Sequence, residues 1–185
     1  MTTMFEKPGP ANTERTLSVA IHEAKERGIR HLVVASTFGD TGVLCARRIQ
    51  GTDLKLIVVA HNTGFKTPGI QEFEPEKKRE IETLGGTVLI GTMVLRSLGT
   101  AIRGLSGGSE QDLVAHTLRI LGQGVKVCAE IAAMAADAGL IPIEDIISVA
   151  GTGRGADTAV IIHPQPSNMF FNMKIREFLA KPYGF

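Results

Sequence analysis

Five short runs rich in β-branched and other apolar residues recur along the chain, at 31–36, 54–60, 87–91, 146–150 and 158–162. Segments with helical spacing separate the first four. Each run is continuously apolar rather than alternating. That pattern belongs to strands buried on both faces, as in a parallel sheet with helices above and below. The chain therefore predicts a three-layer α/β/α, doubly wound fold with a mostly parallel, five-stranded sheet. The last two runs are too close for a crossover helix, so they are expected to pair antiparallel and put an antiparallel strand at one edge.

The helical segments carry their own signals. Asn12 is a good N-cap residue, and Leu17, Ala20, Ile21 and Ala24 fall on one helical face before Gly28. A second helix spans 41–50 and stops at Gly51. Pro75 opens a charged helix that Gly85 and Gly86 close. Ser109 and Asp112 resemble a capping box with Asp in place of Glu. Leu113, Val114, Thr117, Leu118 and Leu121 give the helix that follows an apolar face. Residues 126–138 are apolar nearly all round, which predicts a buried helix. Glu130 lies within it and needs a partner, either a structural ion pair or a site role. The tail from His163 shows no period.

No linker or repeat divides residues 1–185, so one domain is expected. With 43% hydrophobic and 21% charged residues, the chain can bury a core without disulfides or metals. Cys45 and Cys128 lack any zinc or disulfide spacing and read as small buried residues in a reducing compartment. A net charge of +1, one Tyr and no Trp argue against a nucleic-acid surface. No apolar run reaches a membrane span, and residues 1–10 lack a signal-peptide core. A cytoplasmic protein is the expectation, with homo-oligomerisation left open.

In doubly wound sheets, ligands bind beyond the carboxyl ends of the strands, at the point where strand order reverses. Three loops occupy such ends. Ser36, Thr37, Phe38, Gly39, Asp40 and Thr41 follow the first run and lead into a helix, where free backbone N–H groups favour anions. A plain capping role for Asp40 or Thr41 is the competing reading. A carboxylate at Asp40 must point away from a phosphate or bind another part of the ligand. His61, Asn62, Thr63, Gly64 and Phe65 follow the second run. His61 there is either an acid–base group or a simple hydrogen-bonding residue. Gly151, Thr152, Gly153, Arg154, Gly155, Asp157 and Thr158 lie between the last two runs. Their glycines allow close backbone approach, and Arg is the strongest phosphate fork. A plain hairpin turn is the alternative. Convergence of two such loops on one sheet edge favours a phosphate-bearing ligand. No Walker, HExxH or nucleophile–base signature is present.

These loops resemble those of the C-terminal α/β domain of pyruvate kinase. The carrying segments are Val34 to Gly42, Leu56 to Asn62, and Gly153-Arg154-Gly155. Phe38 and Asp40 depart from the pattern, standing where that domain has a hydroxyl and commonly an Arg. Nearly the whole chain is similar to a group of stand-alone, mostly archaeal proteins made of this domain alone. The segments are Lys7-Pro8-Gly9, His31 to Ser36, Gly39-Asp40-Thr41, His61 to Phe65, Met134 to Asp137 and Gly153 to Ala159. That resemblance implies a flavin mononucleotide (FMN) binder. Ser36, Thr37 and Thr41 would hold the phosphate, and Phe38 or residues 61–65 would face the ring. It does not imply pyruvate kinase catalysis, because a (β/α)₈ barrel needs about 250 residues. Three readings follow in order: an FMN protein of the small-oxidoreductase class, a non-catalytic sensor of a phosphorylated metabolite, and an enzyme of phosphorylated sugars or nucleotides with His61 or Glu130 as base. No metal site is expected.

Overall fold

The buried runs do become the centre of a mixed sheet. In a computed structural model describing residues 1–185, the strands are β1 (Thr3–Phe5), β2 (His31–Ala35), β3 (Lys55–Ala60), β4 (Thr87–Ile90), β5 (Ile146–Ala150), β6 (Thr158–His163) and β7 (Lys174–Pro182). Their order is β1-β7-β6-β5-β2-β3-β4. Strands β5, β2, β3 and β4 pair in parallel, whereas β6 runs antiparallel to both β5 and β7. The helices are α1 (Thr13–Glu26), α2 (Asp40–Arg48), α3 (Pro75–Thr83), α4 (Ser97–Ser106), α5 (Glu110–Arg119) and α6 (Gln123–Asp137). The architecture is the expected mostly parallel, helix-flanked sheet, with β5 and β6 antiparallel.

Alternation within each strand sends side chains to two cores. On one face Leu32, Val34, Val58, Ile147 and Val149 pack against Leu17 and Ala20 of α1 and Cys45 and Ala46 of α2. On the other, Val33, Ile57, Val59, Ile146 and Val160 pack against Cys128, Ala129, Ala132 and Ala135 of α6. The α6 face is small enough for close approach. Ser148 Oγ even donates to the Cys128 carbonyl at 3.0 Å. Both cysteines are free and buried, and burial pushes each thiol up to about 12. No helix is long and apolar enough to cross a membrane.

Four expectations are corrected. The sheet has seven strands rather than five, because the unpatterned tail forms β7 and then pairs with β1 in parallel. A helix, α4, forms at Ser97–Ser106, between the third run and Ser109, where no element was expected. Val88 is only half-buried, since β4 is an edge strand with one neighbour. Asn12 occupies the N-cap of α1 but its side chain makes no cap bond. A 3₁₀ turn at Pro10–Asn12 already leads into the helix, and the Asn12 amide instead donates to the Lys7 carbonyl at 2.8 Å. Ser109, by contrast, caps α5 as expected, accepting from the Asp112 N–H at 3.2 Å.

Candidate functional site

Strand order fixes where a ligand can enter. From β2 the chain moves outward to β3 and β4, then returns across the sheet to β5 on the other side of β2. The reversal lies between β2 and β5, where diverging crossovers leave a crevice at the carboxyl edge. A cleft of about 500 Å³ opens there.

Its first wall is the β2–α2 loop. Phe38 and Gly39, and Asp40 and Thr41 in the first turn of α2, donate no backbone N–H bond within the protein. These are the unmatched donors that every helix start presents. Ser36 Oγ accepts the Gly42 N–H at 3.4 Å, which fixes the loop. Ser36, Thr37, Phe38, Asp40 and Thr41 all line the cleft. The Asp40 carboxylate does not crowd the donors: it is drawn outward to Lys77 Nζ at 2.5 Å and is largely exposed.

The second wall is the β5–β6 loop. Gly151, Gly153, Arg154 and Gly155 line the cleft, whereas Thr152, Asp157 and Thr158 do not. Asp157 is fully buried behind the loop. Its Oδ2 accepts from Gly9 N–H at 2.9 Å and Thr152 N–H at 3.1 Å, and its Oδ1 from the Thr158 hydroxyl at 2.8 Å. It ties the N-terminal segment to the loop. The Arg154 guanidinium lies over the Phe38 ring at 4.5 Å, a cation–π contact that bridges the two walls.

The third wall comes from the β3–α3 segment. His61 and Phe65 line the cleft with their rings stacked at 3.9 Å, while Asn62, Thr63 and Gly64 stay outside it. Burial holds the His61 imidazole below its ordinary range, against an opposing contact with Glu72 at 3.4 Å. His61 is thus neutral at neutral pH. Gly39 also lies outside the lining.

Sequence reasoning missed the fourth wall. Arg96, Arg119, Gln123 and Lys126 reach the cleft from α6 and the segments before it. Lys126 and Glu130 form a buried ion pair one helical turn apart, and the second Glu130 oxygen accepts the Leu95 N–H at 2.8 Å. The i, i+4 spacing of Lys126 and Glu130 was a readable signal. Nothing in the local sequence marks Arg96 or Arg119, which arrive through the long β4–β5 connection. Met93, Val127, Ile131 and Met134 complete an apolar flank.

No family model matches the chain. Among solved structures it is similar to a pyruvate kinase from Cryptosporidium parvum, at 13% identity over 83% of this chain and 23% of that one, with a TM-score of 0.45. The same organism's pyruvate kinase in complex with ADP gives 14% identity, 94% and 25% coverage, and a TM-score of 0.43. An O-ureido-L-serine synthase gives 18% identity, 58% and 28% coverage, and a TM-score of 0.32. The chain spans about a quarter of the length of the pyruvate kinases it matches.

Proposed function

We propose that this protein binds FMN in the cleft at the sheet reversal, with the phosphate at the start of α2 and the ring toward the aromatic and methionine side chains. One observation carries the reading. Unmatched N–H donors of α2, the hydroxyls of Thr37 and Thr41, and the guanidinium of Arg154 converge on one cleft whose other flank is apolar and aromatic. A phosphate is the anion that such a helix start and an Arg fork accept. An aromatic heterocycle suits Phe38, Phe65, Met93 and Met134, and the swap of a loop hydroxyl for Phe38 favours a flat ring over a sugar. A cleft of about 500 Å³ lies within the ordinary range for small-ligand sites. The chemistry we assign to the bound flavin is hydride or electron transfer. The chain's own contribution would be to bind, orient and desolvate it. Phosphoryl transfer from phosphoenolpyruvate to ADP is not expected.

The test is the absorption spectrum of the purified protein, followed by titration of stripped protein with FMN and with riboflavin. Saturable FMN binding, with riboflavin binding at least tenfold weaker, is expected. Equal binding of the two would place the phosphate elsewhere. A colourless protein that ignores FMN but gains thermal stability with a phosphorylated metabolite would replace the flavin reading with a sensor.

A further inference from the structure

The geometry points to a second anion subsite in the same cleft, formed by Arg96, Arg119 and Lys126, that takes the carboxylate or phosphate of a co-substrate while FMN is bound. It rests on the reading above only for the identity of the first ligand.

The charges on this side do not balance. Lys126 is 3% exposed and has one partner, Glu130. That carboxylate is fully committed, one oxygen to Lys126 and the other to the Leu95 N–H. Arg96 and Arg119 line the cleft with no carboxylate within salt-bridge distance, as do Arg154 across the cleft and Arg15 and Arg79 on the outer surface, whereas Arg27, Arg47, Arg48 and Arg103 are each paired. Burial pushes the Lys126 pKa down, and the charges of Arg119 and Arg96 add to that. Three cations therefore face one carboxylate at a half-enclosed cleft, and the positive end of the 15-residue α6 adds to them. Like charges gathered around a buried ammonium repel, and an anion relieves that repulsion.

The arrangement is also held ready. Arg119 Nε donates to Gln123 Oε1 at 2.7 Å, which orients the guanidinium and leaves its terminal N–H groups free. Arg96 lies over the Phe65 ring at 4.4 Å, and the Glu130 bond to Leu95 anchors the residue just before it. The first phosphate donors belong to α2, on one face of the sheet, and Lys126 belongs to α6, on the other. Two donor sets thus enter one cleft from opposite faces of the sheet. Arg96 lies against Phe65, one of the side chains assigned to the flavin ring. A substrate whose anionic end docks there would lie against that ring.

The experiment titrates FMN-saturated protein with inorganic phosphate and, separately, with malonate, reading heat and the flavin difference spectrum. One saturable site is expected for at least one anion, and the stronger of the two names the co-substrate class. Its affinity should fall at least tenfold in Arg119→Gln and in Arg96→Gln, recover in part in Arg119→Lys, and stay within twofold in Arg154→Ala at saturating FMN. Circular dichroism confirms that each variant is folded, and either arginine variant suffices. No saturable site in loaded wild type, displacement of FMN by the anion, or unchanged affinity in both arginine variants overturns the inference. Should the protein bind no FMN, phosphate is titrated alone. A site lost in Arg119→Gln but kept in Arg154→Ala then upholds the second subsite while the flavin reading falls. A single site lost only in Arg154→Ala sinks the second subsite and leaves the first phosphate position standing.

Discussion

The loops at 36–41 and 151–157 leave neighbouring strands at the same sheet edge, the first with three hydroxyl residues and one glycine, the second with three glycines and one hydroxyl residue. They use those residues differently. The first loop keeps its donors free: four consecutive N–H groups, from Phe38 to Thr41, have no acceptor within the protein. The second has turned inward. The Thr152 N–H and the Thr158 hydroxyl both donate to buried Asp157, and the Ala156 N–H donates to Thr13 Oγ1 at 2.9 Å. A Cβ at Gly151 would come within 2.4 Å of the Gly155 carbonyl oxygen, and one at Gly155 within 2.4 Å of Thr13 Oγ1. These glycines admit protein, not ligand. Beyond the glycine backbone, Arg154 brings the loop's one side chain to the cleft. A glycine-rich loop at a switch point thus marks close backbone approach, and only the hydrogen-bond inventory says what is approached.

The comparison breaks most readily at Asp157. Three donors point at this carboxylate and none is replaced if it is lost. Asp157→Ala should cost about 3–5 kcal/mol, because several buried donors are left unmatched. Asp157→Asn should cost only about 1 kcal/mol, since its amide can sit at Oδ1, where the Thr158 hydroxyl rotates to accept. Urea denaturation measures both. Equal, small losses would mean that the loop does not depend on this brace.

Gly155 and Gly153 sharpen the same point at smaller scale. Both have positive φ, 67° and 80°. A methyl at Gly155 meets Thr13 and Pro10, while one at Gly153 meets nothing within 4 Å. Gly155→Ala should cost about 2–4 kcal/mol, from backbone strain plus overpacking. Gly153→Ala should cost about 1–2 kcal/mol, from strain alone. A larger loss at Gly153 would reverse the assignment of packing to Gly155.

What was legible in the sequence follows the same division between local and distant causes. The β-branched runs and the stops at Gly28, Gly51 and Gly85 encode their elements within a few residues, and the central sheet follows from them. β7 was not legible. Residues 174–182 interleave charges with apolar residues and end on Pro182, and their pairing with β6 slips register twice. β1 has three residues and exists only because β7 offers an edge. Among site residues, the α2 loop was readable because a helix start is a local device. Asp157 was read as a ligand contact because its partner Gly9 lies 148 residues away. Arg96 and Arg119 were missed for the same reason.

Binding separates the loops next. Arg154 is the only charged side chain of its loop that faces the cleft, and it makes charge-assisted bonds if it meets the phosphate. Arg154→Ala should weaken FMN binding by about tenfold or more, since about 1.4 kcal/mol corresponds to a factor of ten. It should cost less than about 1 kcal/mol of urea stability, as Arg154 is exposed and its contact within the protein is the cation–π one with Phe38. Loss of stability without loss of affinity would make it a packing residue like its neighbours.

The smallest effects belong to the first loop, where the backbone carries most of the work and side chains add single bonds. Thr41 is 6% exposed and lines the cleft, so its hydroxyl can give one neutral hydrogen bond, worth about 0.5–1.5 kcal/mol. Thr41→Ala should weaken FMN by up to about tenfold and leave weak riboflavin binding untouched, because riboflavin lacks the phosphate. Asp40→Asn removes a negative charge near the same N–H groups. The wild-type carboxylate is drawn to Lys77 at 2.5 Å and is mostly solvated, so FMN affinity should hold or rise slightly. The lost surface bridge should cost about 0–1 kcal/mol of stability. Fluorescence-quenching titrations of the two variants separate backbone from side-chain recognition. If Asp40→Asn weakened FMN tenfold, the carboxylate would be a ligand contact, and the phosphate would not lie at the start of α2.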